Sequence, residues 1–500
     1  MSRLDRFLLN DFWCTTWPNC TQIALQRGLS EHVPLVLRVD EVNWGLRPLR
    51  MWKCWADIPG YENFVREQWS LLDVNGWGGF VLQQKLKMIK GSLKDWHHQH
   101  AQNLLGRVQI LKDRMSVLDT KGKTSNLEEA EVEELHDLSE SLHSMSRVQA
   151  SMSWQKARLN WLQEGDANTK FFHGVMSSRR RCNVIQLINV NDVQIEGVHN
   201  IRGAVWNHFS SHFKAVTIER PGVENLHFRR LSINEATSLV RPFTLEEVKA
   251  AIWDCDSFKS LGPDGISIGF IKQFWPKLKV DFMRFINEFH RNGKLTKGIN
   301  ATFISLIPKV ASPQRLNDYR PISLVGCMYK VLAKVLANRL CYVITSVVSD
   351  SQSAFVKGKQ ILDSIHVANE IVDEARRLKK DLLLFKVDFE KACDSVDLNY
   401  LDAMMSKMNF PTLWRKWISG CVGSATASVL VNGSPTEEFI IERGLRQGDP
   451  LSPFLFLLAV EGLNVLMRSR WWRQICFTVM LWAALMESLF HIYSLRMTHY

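Results

Sequence analysis

No Cys-x-x-Cys pair occurs among the 10 cysteines of this 500-residue chain. That excludes a zinc ribbon and a disulfide framework as organising devices, and a reducing, intracellular setting is the simpler expectation. Residues 1–10 hold no apolar core of the kind a secretory signal needs. Long apolar runs are scarce as well. The tail from Ile475 to Phe490 is shorter than the roughly 20 residues of a membrane span and carries Glu487, so no membrane partner is expected. Nowhere in the chain do two aspartates stand next to each other.

What the chain does have is positive charge. Lys plus Arg number 62 against 51 acidic residues, giving +11 and a pI near 9.1. Such a balance favours a polyanionic partner. At 46% hydrophobic, 500 residues can bury more than one core, and two or three structural units are expected. The 18 tryptophans suit stacked bases and dense cores equally well.

The chain is organised around Asp381 to Asp394. Leu382 to Val387, apolar except for Lys386, is too short for an amphipathic helix and reads as a buried strand. Asp388 ends it, poorly placed for packing and well placed to hold a metal ion at a sheet edge. The bland reading of such a residue is a turn or a helix cap. Downstream, Gly444-Leu-Arg-Gln-Gly-Asp-Pro-Leu-Ser-Pro453 is a basic, glycine-containing turn that opens an apolar helix. Upstream lie Leu306-Ile-Pro-Lys309 and Asp318-Tyr-Arg-Pro-Ile-Ser323.

In this order and spacing, from about Arg241 to Arg468, these stretches resemble the reverse transcriptases of non-LTR (LINE-type) retroelements, the plant kind in particular. The resemblance implies an α+β chain: a helical connector followed by the fingers and an incomplete palm of a right-hand polymerase. It implies RNA-directed DNA synthesis in the nucleus, with an RNA template, a DNA primer and deoxynucleoside triphosphates, and no obligate protein partner. By resemblance Asp388 is the catalytic, Mg²⁺-binding carboxylate. Lys309 and Arg320 are the fingers cations that grip the incoming triphosphate, where charge developing toward pyrophosphate needs stabilising. Arg446, Gln447 and Gly448 form the nucleotide- and template-side turn. Gln352, Phe355 and Lys359 resemble a template-contacting segment.

Two departures carry consequences. Nucleotide addition uses two Mg²⁺ ions roughly 3.5–4 Å apart, and several hard oxygen ligands must hold them. The family supplies two of these acids from an aromatic-Ala-Asp-Asp hairpin that this sequence does not contain, and the resemblance stops near Arg468. The polymerase is therefore expected to be catalytically incomplete. A non-catalytic nucleic-acid-binding remnant or a pseudogene product is the alternative. The second departure is Cys393, five residues after Asp388, where the family carries a Phe or Tyr that rejects a 2′-hydroxyl. A thiol is smaller, so weaker discrimination against ribonucleotides is expected.

The remaining chain divides around this unit. Residues 1–45, with expected strands over 2–9 and 30–37, resemble the last strands of the endonuclease/exonuclease/phosphatase family, with Asp5 and His32 as a vestigial pair. Two such strands alone do not make a stable sandwich. Residues 61–166 read as a helical hairpin connector. Leu104, Val108, Leu111, Met115 and Leu118 recur at helical steps, as do Leu135, Leu138, Leu142, Met145 and Val148, and Ser125 to Glu128 is a capping box between them. His97, His98 and His100 read as a solvated helix face in preference to a metal site, which usually takes four ligands. Residues 167–240 are a basic linker. Trp161 to His173 resembles the plant nuclease–polymerase junction, and Lys170 with Arg179, Arg180 and Arg181 suits a nucleic-acid backbone or, as readily, a plain charged surface. Residues 469–500 read as an unrelated apolar tail, a frameshifted or mis-spliced end.

Overall fold

The computed structural model describes residues 7–10, 13, 16–17, 20–24, 34–39, 43–100, 104–157, 179, 183–216, 226–310, 312–382 and 391–471. Outside them lie Asp5, His32, Lys170, Arg180, Arg181, residues 161–173, Asp388 with all but the first residue of its expected strand, and the tail from 472. Of the strand expected over 2–9, residues 7–9 are described and are not strand. The second N-terminal strand does form, as β2 (Leu35–Val39). It pairs antiparallel with β1 (Cys20–Ala24), which the sequence reading missed.

Four helices follow: α1 (Tyr61–Leu71), α2 (Gly78–His100), α3 (Leu104–Thr124) and α4 (Glu129–Ala157). In α3 and α4 the buried and half-buried positions include Val108, Leu111, Met115, Leu118, Leu135, Leu138, Leu142, Met145 and Val148, the apolar stripe of the expected hairpin. Arg114 Nε pairs with Glu134 Oε1 at 2.7 Å across it, and Lys121 pairs with Glu131. The turn between them differs from the expected box. Ser125 donates to Lys121 O and closes α3, while the Glu131 carboxylate accepts from Glu128 N at 3.1 Å and opens α4. The start signal belongs to the Glu128–Glu131 pair, three residues on.

α2 is no detached connector. Its first turn lies directly on α9 (Trp275–Asn292): a Cβ built on Gly78 would come within 2.8 Å of the Arg284 backbone, so only glycine allows this approach. Gly79 N donates to Glu288 Oε2 at 3.0 Å, and Lys85 pairs with Asp281 at 3.0 Å. One apolar core therefore runs from Met51, Trp55 and Leu82 through Phe282 and Tyr329 to Leu458. At its centre α10 (Cys327–Val347) is apolar on nearly all sides, as a helix enclosed by others must be. Its one buried charge, Arg339, forks onto Glu247 of α7 (Leu245–Trp253) at 2.6 and 2.8 Å and lies 4.0 Å over Phe243. α8 (Ile268–Gln273) and α9 are separate helices, broken at Phe274 where Pro276 sets a new start.

A five-stranded sheet carries the second half of the chain. β5 (Ala301–Pro308) pairs antiparallel with β6 (Tyr319–Val325) and parallel with β7 (Thr426–Val431). β8 (Ser434–Pro435) and β9 (Phe439–Ile440) pair with β7. One face, with Ile304, Leu306, Ala427, Val429 and Val431, is covered by the hairpin β3 (Leu187–Val190) and β4 (Val193–Glu196) and by α5 (Val198–His212). Part of the expected linker is thus a folded module. Asn432 fixes it by giving and taking 2.8 Å hydrogen bonds with the Ile185 backbone, standing in for a strand residue. α6 (Ile233–Val240), α11 (Ile361–Arg377), α12 (Leu398–Lys407), α13 (Thr412–Val422) and α14 (Ser452–Trp471) complete the element order. Among the described residues no helix is long and apolar enough to cross a membrane.

Candidate nucleotide and nucleic-acid site

The β5–β6 hairpin sets out the site. In an antiparallel ladder, residues directly opposite share a face. Phe303 with Leu324, Ser305 with Ile322, and Ile307 with Arg320 therefore point away from the covered face. Arg320, half-buried, stands on that side at the hairpin's far end. Pro308 ends β5, and Lys309 N closes the loop by donating to Asp318 O at 2.7 Å. The Asp318 carboxylate accepts from Gln314 N and Arg315 N at 2.9 and 2.8 Å, which tightens the loop and leaves Lys309 exposed at its mouth.

The turn at 444–449 lies along the same hairpin. Ser323 N donates to Gln447 O at 2.8 Å, so the turn extends the β6 edge. Gly448 has φ +103°, and a Cβ there would come within 3.0 Å of Ser323 O. Its glycine serves this approach to β6. Leu445 N donates to Cys393 O and Gly444 N to Val396 O, both at 2.8 Å. Gly444 has φ +87°, and its Cβ would sit 2.4 Å from Asp394 O. The segment five residues beyond Asp388 is thus brought against the turn, and both against the hairpin. Burial pushes the Cys393 thiol up to about 12, with Asp394 adding to it, so the thiol stays protonated and unreactive at neutral pH.

Arg446 faces inward, with its side chain 3% exposed. It pairs with Asp449 at 2.9 Å, donates to Asn300 Oδ1 at 2.6 Å and to Thr302 Oγ1 at 3.2 Å, and lies 4.1 Å over the Tyr329 ring. Tyr329 Oη donates to Asp449 Oδ2 at 2.6 Å. Burial, ahead of every other cause, drives the Tyr329 hydroxyl well above its usual range. The guanidinium therefore anchors the turn to α10 and β5 from behind.

Other sequence candidates fall elsewhere. Lys359 Nζ donates to Asp350 O and Gln352 O at 2.6 and 3.0 Å within its own loop, and Phe355 takes φ +58° there. Asp397 caps α12 by accepting from Tyr400 N at 2.8 Å. His97 is not solvated: it is half-buried and its Nδ1 accepts from Trp55 Nε1 at 3.0 Å. Asp264, half-buried, accepts from the first turn of α10 at Cys327 N and from Ile266 N. Burial raises its carboxyl above the usual range. The Tyr329–Arg446–Asp449 network was equally unforeseen, although the Arg-x-x-Asp spacing at 446–449 was available as a signal.

Among the described residues there is no group of three or more His, Cys, Asp or Glu side chains that could hold a metal ion. Asp388 lies outside them, and the sequence contains no adjacent aspartates.

Residues 307–490 match the family described as reverse transcriptase (RNA-dependent DNA polymerase). The match continues beyond Arg468, where the resemblance of the motifs stops. A 149 kDa protein of transposon TX1 from Xenopus laevis is 28% identical over 422 residues, covering 82% of this chain and 32% of its own length. The Pol polyprotein of a type-1 R2 retrotransposable element from Popillia japonica is 26% identical over 227 residues, covering 45% of this chain and 30% of its own. A probable RNA-directed DNA polymerase from transposon BS of Drosophila melanogaster is 24% identical over 229 residues, covering 45% and 25%. The chain spans about a third or less of these relatives.

Proposed function

We propose, for a chain that carries a reverse transcriptase domain with RNA-directed DNA polymerase homologues among the non-LTR retrotransposons, that it is the fingers and the start of the palm of such a polymerase. Its reaction is addition of deoxynucleotides to a primer 3′-hydroxyl on an RNA template. What supports the reading is the convergence of three motifs far apart in sequence. Ser323 of the 318–323 motif, the segment after Asp388 and the 444–449 turn are joined by three backbone hydrogen bonds of 2.8 Å, one from Ser323 to the turn and two from the turn to residues 393 and 396.

In this reading Arg320 and Lys309 face the triphosphate from the hairpin end, and the exposed parts of the turn face the template. Arg446 acts behind them as a positioning residue. Asp388 is one metal carboxylate of several that the reaction needs, and the others are not supplied by an aspartate pair of this chain. Residues 1–45 derive from an endonuclease of which Asp5 and His32 are vestiges, and the element is of the plant kind and acts in the nucleus.

Primer extension on an RNA template with Mg²⁺, run beside Asp388→Ala, tests this together with binding of an RNA–DNA hybrid at two salt concentrations. The expected result is salt-dependent hybrid binding without incorporation by either protein. Incorporation that Asp388→Ala abolishes would show the missing acids to be supplied, and the incompleteness to be wrong. A folded chain that binds no hybrid would remove the polymerase reading.

A further inference from the structure

The hairpin loop brings a second lysine to the site. Lys309 Nζ donates to the backbone Asn317 O at 3.0 Å, and Lys391 Nζ donates to the side-chain Asn317 Oδ1 at 3.4 Å. Two ammonium groups from stretches more than eighty residues apart in sequence thus converge on one exposed asparagine. Among the described residues neither lysine has a carboxylate within ion-pair distance. Two like charges held close together favour an anion that bridges them. Lys391 is half-buried, so its charge is fixed in place by the fold and not carried on a free stem.

We propose that Lys391 and Asn317 complete the triphosphate site, with Lys391 and Lys309 gripping the phosphate oxygens from opposite sides and Asn317 spacing them. The inference rests on the polymerase reading for the identity of the anion, and Lys391 is a binding residue that the sequence motifs alone did not single out. The wall behind Lys391 is α5, where His208 is held neutral: burial first, then the Lys391 and His212 charges, lower it to about 4. A neutral imidazole leaves the lysine pair as the local positive charge. A triphosphate suits the site better than a single backbone phosphate, because two cations facing each other need several charged oxygens on one ligand.

Calorimetric titration of the full chain with inorganic triphosphate, with dATP and with an RNA–DNA hybrid tests the assignment. Lys391→Ala should weaken triphosphate and dATP binding by at least about tenfold, the loss of one charge-assisted hydrogen bond. Lys391→Arg should retain most of the affinity, and hybrid binding should change less than about threefold in either variant. Unchanged triphosphate binding in a folded Lys391→Ala protein, or no triphosphate binding by the unaltered chain, overturns the proposal. Loss of hybrid affinity with a shallower salt dependence and intact triphosphate binding also overturns it, because Lys391 would then face the nucleic-acid backbone. Triphosphate binding without any hybrid binding would leave the anion site standing and remove the polymerase reading instead.

Discussion

Replacing Asp449 by alanine should destabilise the chain by about 3–4 kcal/mol, because it leaves a buried guanidinium without its counter-ion. The Arg446 and Asp449 side chains are 3% and 2% exposed, so water cannot take over the role of the lost carboxylate. The remaining partners of Arg446 are neutral: Asn300 Oδ1 at 2.6 Å, Thr302 Oγ1 at 3.2 Å, Cys421 O at 3.3 Å and the Tyr329 ring at 4.1 Å. They solvate the charge without cancelling it, which keeps the loss below the upper end of about 5 kcal/mol for broken buried pairs. Leu451 N and Tyr329 Oη, which donate to the same carboxylate at 3.0 and 2.6 Å, lose their acceptor too. Tyr329→Phe removes only one of these bonds and keeps the ring under the cation, so about 1.5–3 kcal/mol is expected.

Urea unfolding of the full chain, followed by tryptophan fluorescence, measures these losses as midpoint shifts at constant slope. The decisive protein is the double variant Arg446→Met with Asp449→Leu. Removing both charges together should recover most of the stability that Asp449→Ala loses, since apolar replacement of a buried pair is often neutral. A loss below about 1 kcal/mol for Asp449→Ala would refute the reasoning, because a pair this buried cannot be that cheap to break. So would a double variant as unstable as the single one, which would place the cost in packing instead of charge.

Three further expectations follow from the geometry. Gly444→Ala forces a Cβ to within 2.4 Å of Asp394 O at φ +87°, and should cost at least about 2 kcal/mol in the same urea assay; a neutral result would mean the turn and the 393–396 segment are not clamped. His208, lowered to about 4, binds fewer protons folded than unfolded, so stability should rise with pH between about 4 and 6.5. That part of the pH dependence should vanish in His208→Asn, and its persistence would assign the titration elsewhere. Cys393 offers no ring to meet a 2′-hydroxyl, so ATP and dATP should bind the unaltered chain alike, whereas Cys393→Phe should disfavour ATP by about tenfold or more; equal affinities in that variant would reject the contact.

The apolar spacing of α3 and α4 is legible because a two-helix hairpin has one seam, and a seam writes its period directly into the sequence. The β5 strand is legible for a related reason: it is a short, mostly apolar run stopped by proline. Asn432 is not legible as the anchor of the β3–β4 module, since its two bonds go to Ile185, 247 residues away. Arg446 is recognisable from its motif, but a motif does not say which way a guanidinium faces. Its inward orientation depends on Asn300, Thr302 and Tyr329, which come together only when β5 and α10 are packed. Lys391 shows the converse. Nothing in its own stretch singles it out, and its partner Asn317 comes from a loop 74 residues earlier.

The same logic settles where the folding unit of this chain begins. The match to the reverse transcriptase family begins at residue 307, yet the helix that α9 packs against most extensively is α2, which ends at His100. Gly78 and Gly79 bring two backbones together, Glu288 and Asp281 receive a backbone amide and a lysine from α2, and Lys90 donates to Asp264 O at 2.7 Å beside the start of α10. Leu82, Leu86, Ile89 and Leu93 are fully or nearly fully buried in the core that also holds Phe282 and Ile286. Removing that helix would bare a row of apolar side chains on α9, each costing about 1.5–3 kcal/mol of lost burial. The core around α9 and α10 is therefore built from stretches far apart in sequence, with residues 51–96 as one of its layers.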